Sequence, residues 1–106
     1  MTILPIAIPQ QAIDDFRARH HMRKLSLFGS VLTERFRPDS DIDVLVEFEP
    51  GHVPSLLGIA GMEIELADLL GQKVDLRTAE DLSRYFRDEV VASAVVFAEG
   101  AASGSL

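Results

Sequence analysis

The chain has 106 residues, of which 47% are hydrophobic and 25% are charged, values typical of one folded domain. Its 17 acidic and 10 basic residues give a formal net charge of −7, and a surface of that sign repels nucleic-acid backbones. No cysteine is present, which excludes disulfides and thiolate metal sites. The apolar N-terminus contains two prolines and lacks a basic lead-in, so it does not resemble a signal peptide. No apolar run reaches the length of a membrane span. We therefore expect a cytoplasmic protein that binds neither membranes nor bulk nucleic acid.

The first half of the chain predicts a helix and two strands. Ile13, Phe16 and His20 recur at helical spacing and predict an amphipathic helix within residues 10–24. The segment KLSLFG, residues 24–29, alternates apolar and polar side chains and predicts a short strand. DIDVLVEFE, residues 41–49, is the clearest strand, with its even-numbered residues expected on one face.

The next segments predict a second helix and a third strand. Residues 55–70 form the helix, with Ser55 as its N-cap and Gly71 as its C-terminal stop. Its expected buried stripe consists of Leu56, Ile59, Met62, Leu66 and Leu69. KVDLRT, residues 73–78, predicts a strand that turns Val74 and Leu76 inward and Asp75 outward.

The C-terminal part predicts a last helical region over residues 79–99, with a break near Asp88. Its apolar residues Phe86, Val90 and Phe97 suit either a partner surface or the core of the domain. The alternation of strands and helices indicates an α/β or α+β fold, in which helices cover one face of a sheet. We expect one domain over residues 1–98 and a flexible tail over residues 99–106.

Two aspartates on the clearest strand indicate a metal site. Asp41 and Asp43 lie two residues apart, so both point to one side with Cα atoms ~7 Å apart, and they repel unless a cation lies between them. Mg²⁺ suits such a pair because it prefers hard oxygen ligands and takes the rest of its shell from water and substrate phosphates. Asp75 on a neighbouring strand would supply the third carboxylate of a two-metal site.

The Gly-Ser pair before this strand fits the phosphates of a nucleotide. Gly29 allows a phosphate to approach the backbone without a side chain in the way. Ser30 offers a hydroxyl, and its N–H would point at an anion if a helix starts there. Arg35 and Arg37 follow in a segment that is interpreted as a solvated loop, with contact to the phosphates as the alternative.

Each of these features has an alternative interpretation when it is taken alone. A D-x-D pair is also typical of the solvated face of an edge strand, and a Gly-Ser pair is usually a turn. Asp75, flanked by Lys73 and Arg77, also fits half of a surface charge pair. The features in this order, however, favour a metal–nucleotide site.

The histidines do not predict a metal site from their spacing. His20 and His21 fall on the first predicted helix, where solvated or half-buried side chains are expected. His52 lies in a loop and has no second histidine at metal-binding spacing.

The segment GSVLTERFRPDSDID resembles the G-S-x10-D-x-D signature of the DNA polymerase beta-like nucleotidyltransferase superfamily. Within it, the chain is similar to the minimal nucleotidyltransferases, which are single small domains. LLGQKVDLRT and LSRYFRDEVVASAVVFAEG look like that family's third-aspartate strand and closing helix, so the resemblance extends from about Ala12 to Glu99. One departure is that Leu32, Thr33 and Glu34 replace an Ala-Arg-Gly found in many members, although Arg35 is close enough to substitute.

The resemblance implies a small mixed β-sheet packed with helices and a role for each motif residue. Gly29 and Ser30 would hold the nucleotide phosphates, and Asp41 and Asp43 would bind the metal ions. Asp75 would complete the triad, with one of the three aspartates helping to deprotonate the attacking hydroxyl.

The resemblance also implies a partner and a reaction. Members of the family act as antitoxins of HEPN-domain proteins, which are RNase toxins, and transfer AMP from ATP to a hydroxyl of that partner. Two other functions stay open: an antitoxin that inhibits its toxin by binding alone, and transfer to a small molecule. The small size of the chain counts against the small-molecule acceptor, because it leaves little room for a second lobe.

Overall fold

The computed structural model describes residues 6–85 and 87–100. These residues form three helices and four strands, joined in part by two short 3₁₀ turns. In chain order they are α1 (Gln10–Arg19), β1 (Met22–Phe28), a 3₁₀ turn (Gly29–Leu32), β2 (Ile42–Phe48), α2 (Leu56–Leu70), β3 (Val74–Arg77), a 3₁₀ turn (Ala79–Asp81), α3 (Arg87–Ser93) and β4 (Val95–Glu99).

The strands form one mixed sheet in the order β3-β2-β1-β4. β1 pairs antiparallel with both β2 and β4, whereas β2 and β3 run parallel. A parallel pair requires a crossover, and α2 supplies it. The prediction of a small mixed sheet packed with helices is therefore confirmed.

The core lies on one face of the sheet, under α1 and α2. Alternate strand residues such as Leu27 and Val44 are fully buried, together with Phe16 of α1 and Leu66 of α2. Their neighbours along the strands point to the opposite face, where Asp43, Leu45 and Asp75 are only half-buried. The sheet thus has one packed face and one open face, and the predicted site residues of β2 and β3 lie on the open face.

Both predicted ends of α2 are confirmed, but its predicted stripe is partly wrong. The Ser55 hydroxyl accepts a hydrogen bond from the Gly58 N–H at 3.2 Å, and Gly71 adopts a left-handed conformation with φ 72°. The stripe includes Met62 and Leu66 as expected, but Leu56 is 86% exposed. Leu56 lies about 120° around the helix from Met62, so it cannot share the buried face.

The helical region predicted over residues 79–99, with a break near Asp88, is only partly confirmed. It divides into a 3₁₀ turn, the short α3 and the strand β4, which pairs with β1. Val95, Val96 and Phe97 favour a strand because β-branched and aromatic side chains suit a pleated surface, and the free edge of β1 offers a partner. Phe97 packs against the core, while Phe86 lies outside the described residues.

The remaining differences concern the ends of elements. α1 ends at Arg19, earlier than predicted, because His21 turns the chain at φ 54° and β1 begins at Met22. Glu99 is the last residue of β4, and the Gly100 N–H donates to the Arg23 carbonyl at 2.9 Å. Residues 101–106, the rest of the predicted tail, lie outside the described residues. Among the described helices, none combines the length and apolar character that a bilayer span requires.

Candidate active site

The three predicted aspartates gather where β2 and β3 begin. Asp43 and Asp75 are register partners on these parallel strands, so their side chains leave the open face side by side. Asp41 stands one residue before β2 and is exposed to solvent. The sequence pattern placed all three on one face, and the sheet brings them to one end of that face.

The surroundings of Asp43 shift its ionisation. Burial raises the pKa of Asp43 above its ordinary value, and the nearby charges of Asp75 and Asp41 raise it further, while Arg77 lowers it. The three carboxylates do not all lie within 4.8 Å of one another. Within residues 6–85 and 87–100, the one group of three histidine or acidic side chains that meets this distance lies elsewhere. The site is therefore a repulsive cluster that a cation would stabilise and draw together.

Arg77 is the counter-ion of Asp75 in this arrangement. Its Nε donates to Asp75 Oδ1 and its Nη2 to Oδ2, both at 3.1 Å, so the pair is bidentate. The carboxylate raises the pKa of Arg77 above its usual range. The alternative in which Asp75 forms a surface charge pair thus describes a real contact, and a metal ion at Asp75 would compete with Arg77.

Gly29 brings the backbone of the first 3₁₀ turn against Asp43. Its φ is 77°, and a Cβ atom built on it would overlap Asp43 Oδ2 and lie 3.2 Å from Asp43 Cγ. The preceding residue, Phe28, is the register partner of Asp43 on β1. A side chain at position 29 would be strained by the positive φ and would force the Asp43 carboxylate to move, whereas glycine leaves the backbone next to the carboxylate accessible.

Ser30 lies in the same turn, which is a single 3₁₀ turn rather than the start of an α-helix. The Ser30 carbonyl accepts hydrogen bonds from the Thr33 N–H and the Thr33 hydroxyl, both at 2.9 Å. Thr33 Oγ1 in turn accepts from the Arg35 N–H at 3.1 Å. These hydrogen bonds fix the turn that carries the Gly-Ser pair. Ser30 itself is half-buried.

Gln72 holds the loop that leads to Asp41. Its Nε2 donates to the Arg37 carbonyl at 3.2 Å and to the Ser40 carbonyl at 2.5 Å. The carbonyl of the next residue, Lys73, accepts a hydrogen bond from the Ile42 N–H at 2.8 Å. Gln72 is not among the residues predicted from the sequence, where its one signal is a side-chain amide directly after the glycine that ends α2.

A groove of about 790 Å³ lies on the open face toward the C-terminal end of β2, and the predicted site residues are not among the residues that line it. Leu45, two residues beyond Asp43 on the same side of β2, lies in its floor. Its wall is mixed in character, with apolar side chains from β4 and α3 opposite polar groups of β1 and β2: Lys24, Ser26, Glu47, Val91 and Val96. A volume in this range fits a nucleoside-sized group or one side chain of a protein partner.

Known proteins share this sequence pattern. A sequence profile of the nucleotidyltransferase domain family matches residues 10–97. A protein of Methanocaldococcus jannaschii, provisionally named a protein adenylyltransferase, is 35% identical over 77 residues, which are 73% of this chain and 81% of that protein. Protein adenylyltransferase MntA of Thermococcus cleftensis is 42% identical over 62 residues, 58% of this chain and 61% of the relative.

Solved structures share the fold. One described provisionally as a minimal nucleotidyltransferase has a TM-score of 0.66 at 36% identity, covering 81% of this chain and 86% of that one. A toxin–antitoxin structure with AMP-PNP has a TM-score of 0.69 at 19% identity, covering 91% of this chain and 77% of that one. A tri-AMPylated Shewanella oneidensis HEPN toxin in complex with MNT antitoxin gives a TM-score of 0.61 at 20% identity, covering 90% and 73%.

The chain belongs to the nucleotidyltransferase domain family, because the family profile spans nearly its whole length. Within that family it is a minimal nucleotidyltransferase, as the 36%-identical solved structure indicates. The reaction class is transfer of a nucleotidyl group from a nucleoside triphosphate, with a divalent metal ion.

Proposed function

We propose that this chain is a Mg²⁺-dependent protein adenylyltransferase, which transfers AMP from ATP to a hydroxyl of a HEPN-domain RNase toxin and thereby neutralises it in the cytoplasm. The single observation that carries the proposal is the placement of Gly29 against Asp43, with Asp75 beside it on the next strand. Relatives named protein adenylyltransferase and neighbours that are toxin–antitoxin complexes support the acceptor class. We expect neither membrane nor bulk nucleic-acid binding.

Asp41, Asp43 and Asp75 would hold the metal, most simply as two Mg²⁺ ions. The fit rests on the donor set: burial, followed by the nearby charges of Asp75 and Asp41, raises the pKa of Asp43, and divalent cations bound to hard oxygen ligands would favour its charged form. When bound, the ions would neutralise the charge that develops on the transferring phosphate. Arg77 would then give up its bidentate contact with Asp75.

Gly29 and Ser30 would position the triphosphate. The absent side chain of Gly29 lets a phosphate approach the backbone beside Asp43, and the Ser30 hydroxyl would donate a hydrogen bond to a phosphate oxygen. The acceptor hydroxyl would attack the α-phosphorus as the bond to the bridging oxygen breaks and diphosphate leaves. One of the three aspartates would take the hydroxyl proton. Positioning and charge neutralisation would supply most of the acceleration.

The test uses the purified chain, the HEPN-domain protein encoded beside it, Mg²⁺ and each nucleoside triphosphate in turn. Intact-mass spectrometry of the partner is expected to show the gain of one or more AMP groups with ATP, and no gain with the Asp41→Asn or Asp43→Asn variants. A partner of unchanged mass that is nevertheless inhibited would reject the enzymatic proposal.

The bidentate Arg77–Asp75 pair favours one second candidate, an antitoxin that acts by contact alone. In that case the arginine permanently neutralises the third carboxylate, and the site needs no metal ion. Asp43→Asn would then leave both complex formation and protection from the toxin intact. Loss of protection with the complex preserved would favour the enzyme.

A further inference from the structure

A second cluster of metal-binding side chains lies at the other end of β2. His21 occupies the turn between α1 and β1, while Glu49 and His52 lie in the loop that follows β2. The two imidazole rings stack with centroids 4.0 Å apart and an interplanar angle of 18°. His52 has no second histidine near it in the sequence, but the fold places His21, from the turn before β1, against it.

The backbone holds these two segments together. The Glu49 N–H donates to the His21 carbonyl at 2.9 Å, and the His52 N–H donates to the Glu49 carbonyl at 3.0 Å. His21 has φ 54°, and no other non-glycine residue in the described part of the chain has a positive φ. Such a conformation is uncommon outside glycine and needs support from its surroundings, which the Glu49 hydrogen bond provides.

The three side chains form a ligand set that suits zinc. One ligand atom from each residue lies within 4.8 Å of the others. Two imidazole nitrogens and one carboxylate oxygen are a known protein ligand set for Zn²⁺, with bonds of ~2.0–2.2 Å and a water in the fourth position. The exposed rings of His21 and His52 can make the small rotations needed without disturbing the core. Mg²⁺ prefers oxygen ligands and competes poorly here.

We propose that His21, Glu49 and His52 form a binding site for one Zn²⁺ ion, separate from the aspartate site. Glu49 lies six residues after Asp43 and directly follows β2, which places the two sites ~20 Å apart. The ion ties the α1–β1 turn to the loop before α2 and takes no part in nucleotidyl transfer. This proposal does not depend on the proposed function.

The experiment is a calorimetric titration with ZnCl₂ in excess Mg²⁺. The protein is the tag-free chain carrying Asp41→Asn and Asp43→Asn, because these two substitutions weaken the competing carboxylate site. One equivalent of zinc is expected to bind. Adding His52→Ala or His21→Asn is expected to weaken binding by at least about tenfold, since even changes beyond the direct ligands have that effect. Asn is chosen at position 21 because it tolerates a positive φ.

The matched control is His20→Asn, which removes a neighbouring histidine outside the cluster and is expected to leave the zinc equivalent intact. A second readout is the melting temperature, which zinc raises in the unsubstituted chain but not in His52→Ala, whose fold is checked by circular dichroism. The proposal is overturned if the double-aspartate variant binds no zinc. It is equally overturned if His52→Ala and His21→Asn keep the same equivalent at the same affinity.

Discussion

The carboxylate of Asp43 occupies the space that a β-carbon on Gly29 would need. Gly29 directly follows the last residue of β1 and lies next to Asp43 of β2. Its left-handed conformation brings its backbone against the carboxylate. The glycine and the aspartate therefore act as one structural unit, in which the position of the carboxylate depends on the missing side chain.

Gly29→Ala is expected to reduce nucleotidyl transfer by about 10²-fold or more, because a displacement near 1 Å at reacting groups has an effect of that size. It is also expected to lower the free energy of unfolding by about 1–2 kcal/mol through the left-handed conformation. The matched control is Gly71→Ala, which has a similar φ of 72° but nothing within 4 Å of the added Cβ. Transfer rates and urea unfolding separate the two variants; equal loss of activity in both would contradict the explanation.

Asp43→Asn is expected to stabilise the metal-free protein at neutral pH, raising its melting temperature by a few degrees. Because the folded pKa of Asp43 is raised, its stabilising contribution is present below the unfolded pKa and is lost as pH rises through the folded pKa. The advantage of the variant should therefore grow from acid to neutral pH. Divalent metal should reverse the order by stabilising only the original chain.

The control for this prediction is Asp68→Asn, which removes the same charge from an exposed position on α2. Melting curves of both variants across the acid range, with and without Mg²⁺, provide the measurement. If Asp43→Asn and Asp68→Asn shift the melting temperature alike, the repulsion among the three carboxylates has no role.

Gln72→Ala is expected to raise the Mg²⁺ concentration needed for half-maximal transfer by about tenfold, as is typical when a group that orients a metal ligand is lost. The amide of Gln72 holds the Arg37 and Ser40 carbonyls, so its removal loosens the loop before Asp41 without touching a carboxylate. The rate at saturating Mg²⁺ should stay close to that of the unsubstituted chain. Gln11→Ala, on the exposed side of α1, should leave the metal dependence unchanged, and an unaltered dependence in Gln72→Ala would remove Gln72 from the site.

Glu65→Gln is expected to lower the free energy of unfolding at neutral pH by about 0.5–1 kcal/mol, the range of a partly exposed ion pair. Hydrogen bonds from Arg19 and His20 hold the pKa of Glu65 below its ordinary value, and they join α1 to α2. The stabilisation is present above the unfolded pKa and is lost as pH falls through the folded pKa, so the two proteins should converge in acid. Urea unfolding across this range tests the prediction, with exposed Glu34→Gln as the control.

The sequence predicted the features that depend on local spacing. Alternation along 41–49 predicted Asp41 and Asp43 on one side of the strand, whereas the position of Asp75 beside Asp43 depends on the long-range pairing of β2 with β3. The approach of a phosphate to Gly29 stays a prediction, while the structure shows a positive φ at this glycine and the Asp43 carboxylate in the space that a Cβ would need. The alternation and the positive φ follow from periodicity and backbone sterics, which act over a few residues.

The features that were missed depend on partners distant in sequence. Val95 and Val96 suit either a helix end or a strand, and only the free edge of β1 selects the strand. The same holds for Gln72, which reaches back to the loop before Asp41, and for His21, which meets His52 across two loops. No local pattern records which separate segments the fold brings together.

The pairing of β4 with β1 also determines when the sheet can be completed during synthesis of the chain. β1 and β2 leave the ribosome early as a hairpin whose free edge on β1 is open, and Lys24 meets its partner Glu99 only after nearly the whole described chain has been made. Contacts between such distant residues slow folding, and an open edge in the meantime invites pairing with another nascent chain. A chain terminated before Val95 would keep its aspartates yet retain that open edge, so we expect truncated products to aggregate.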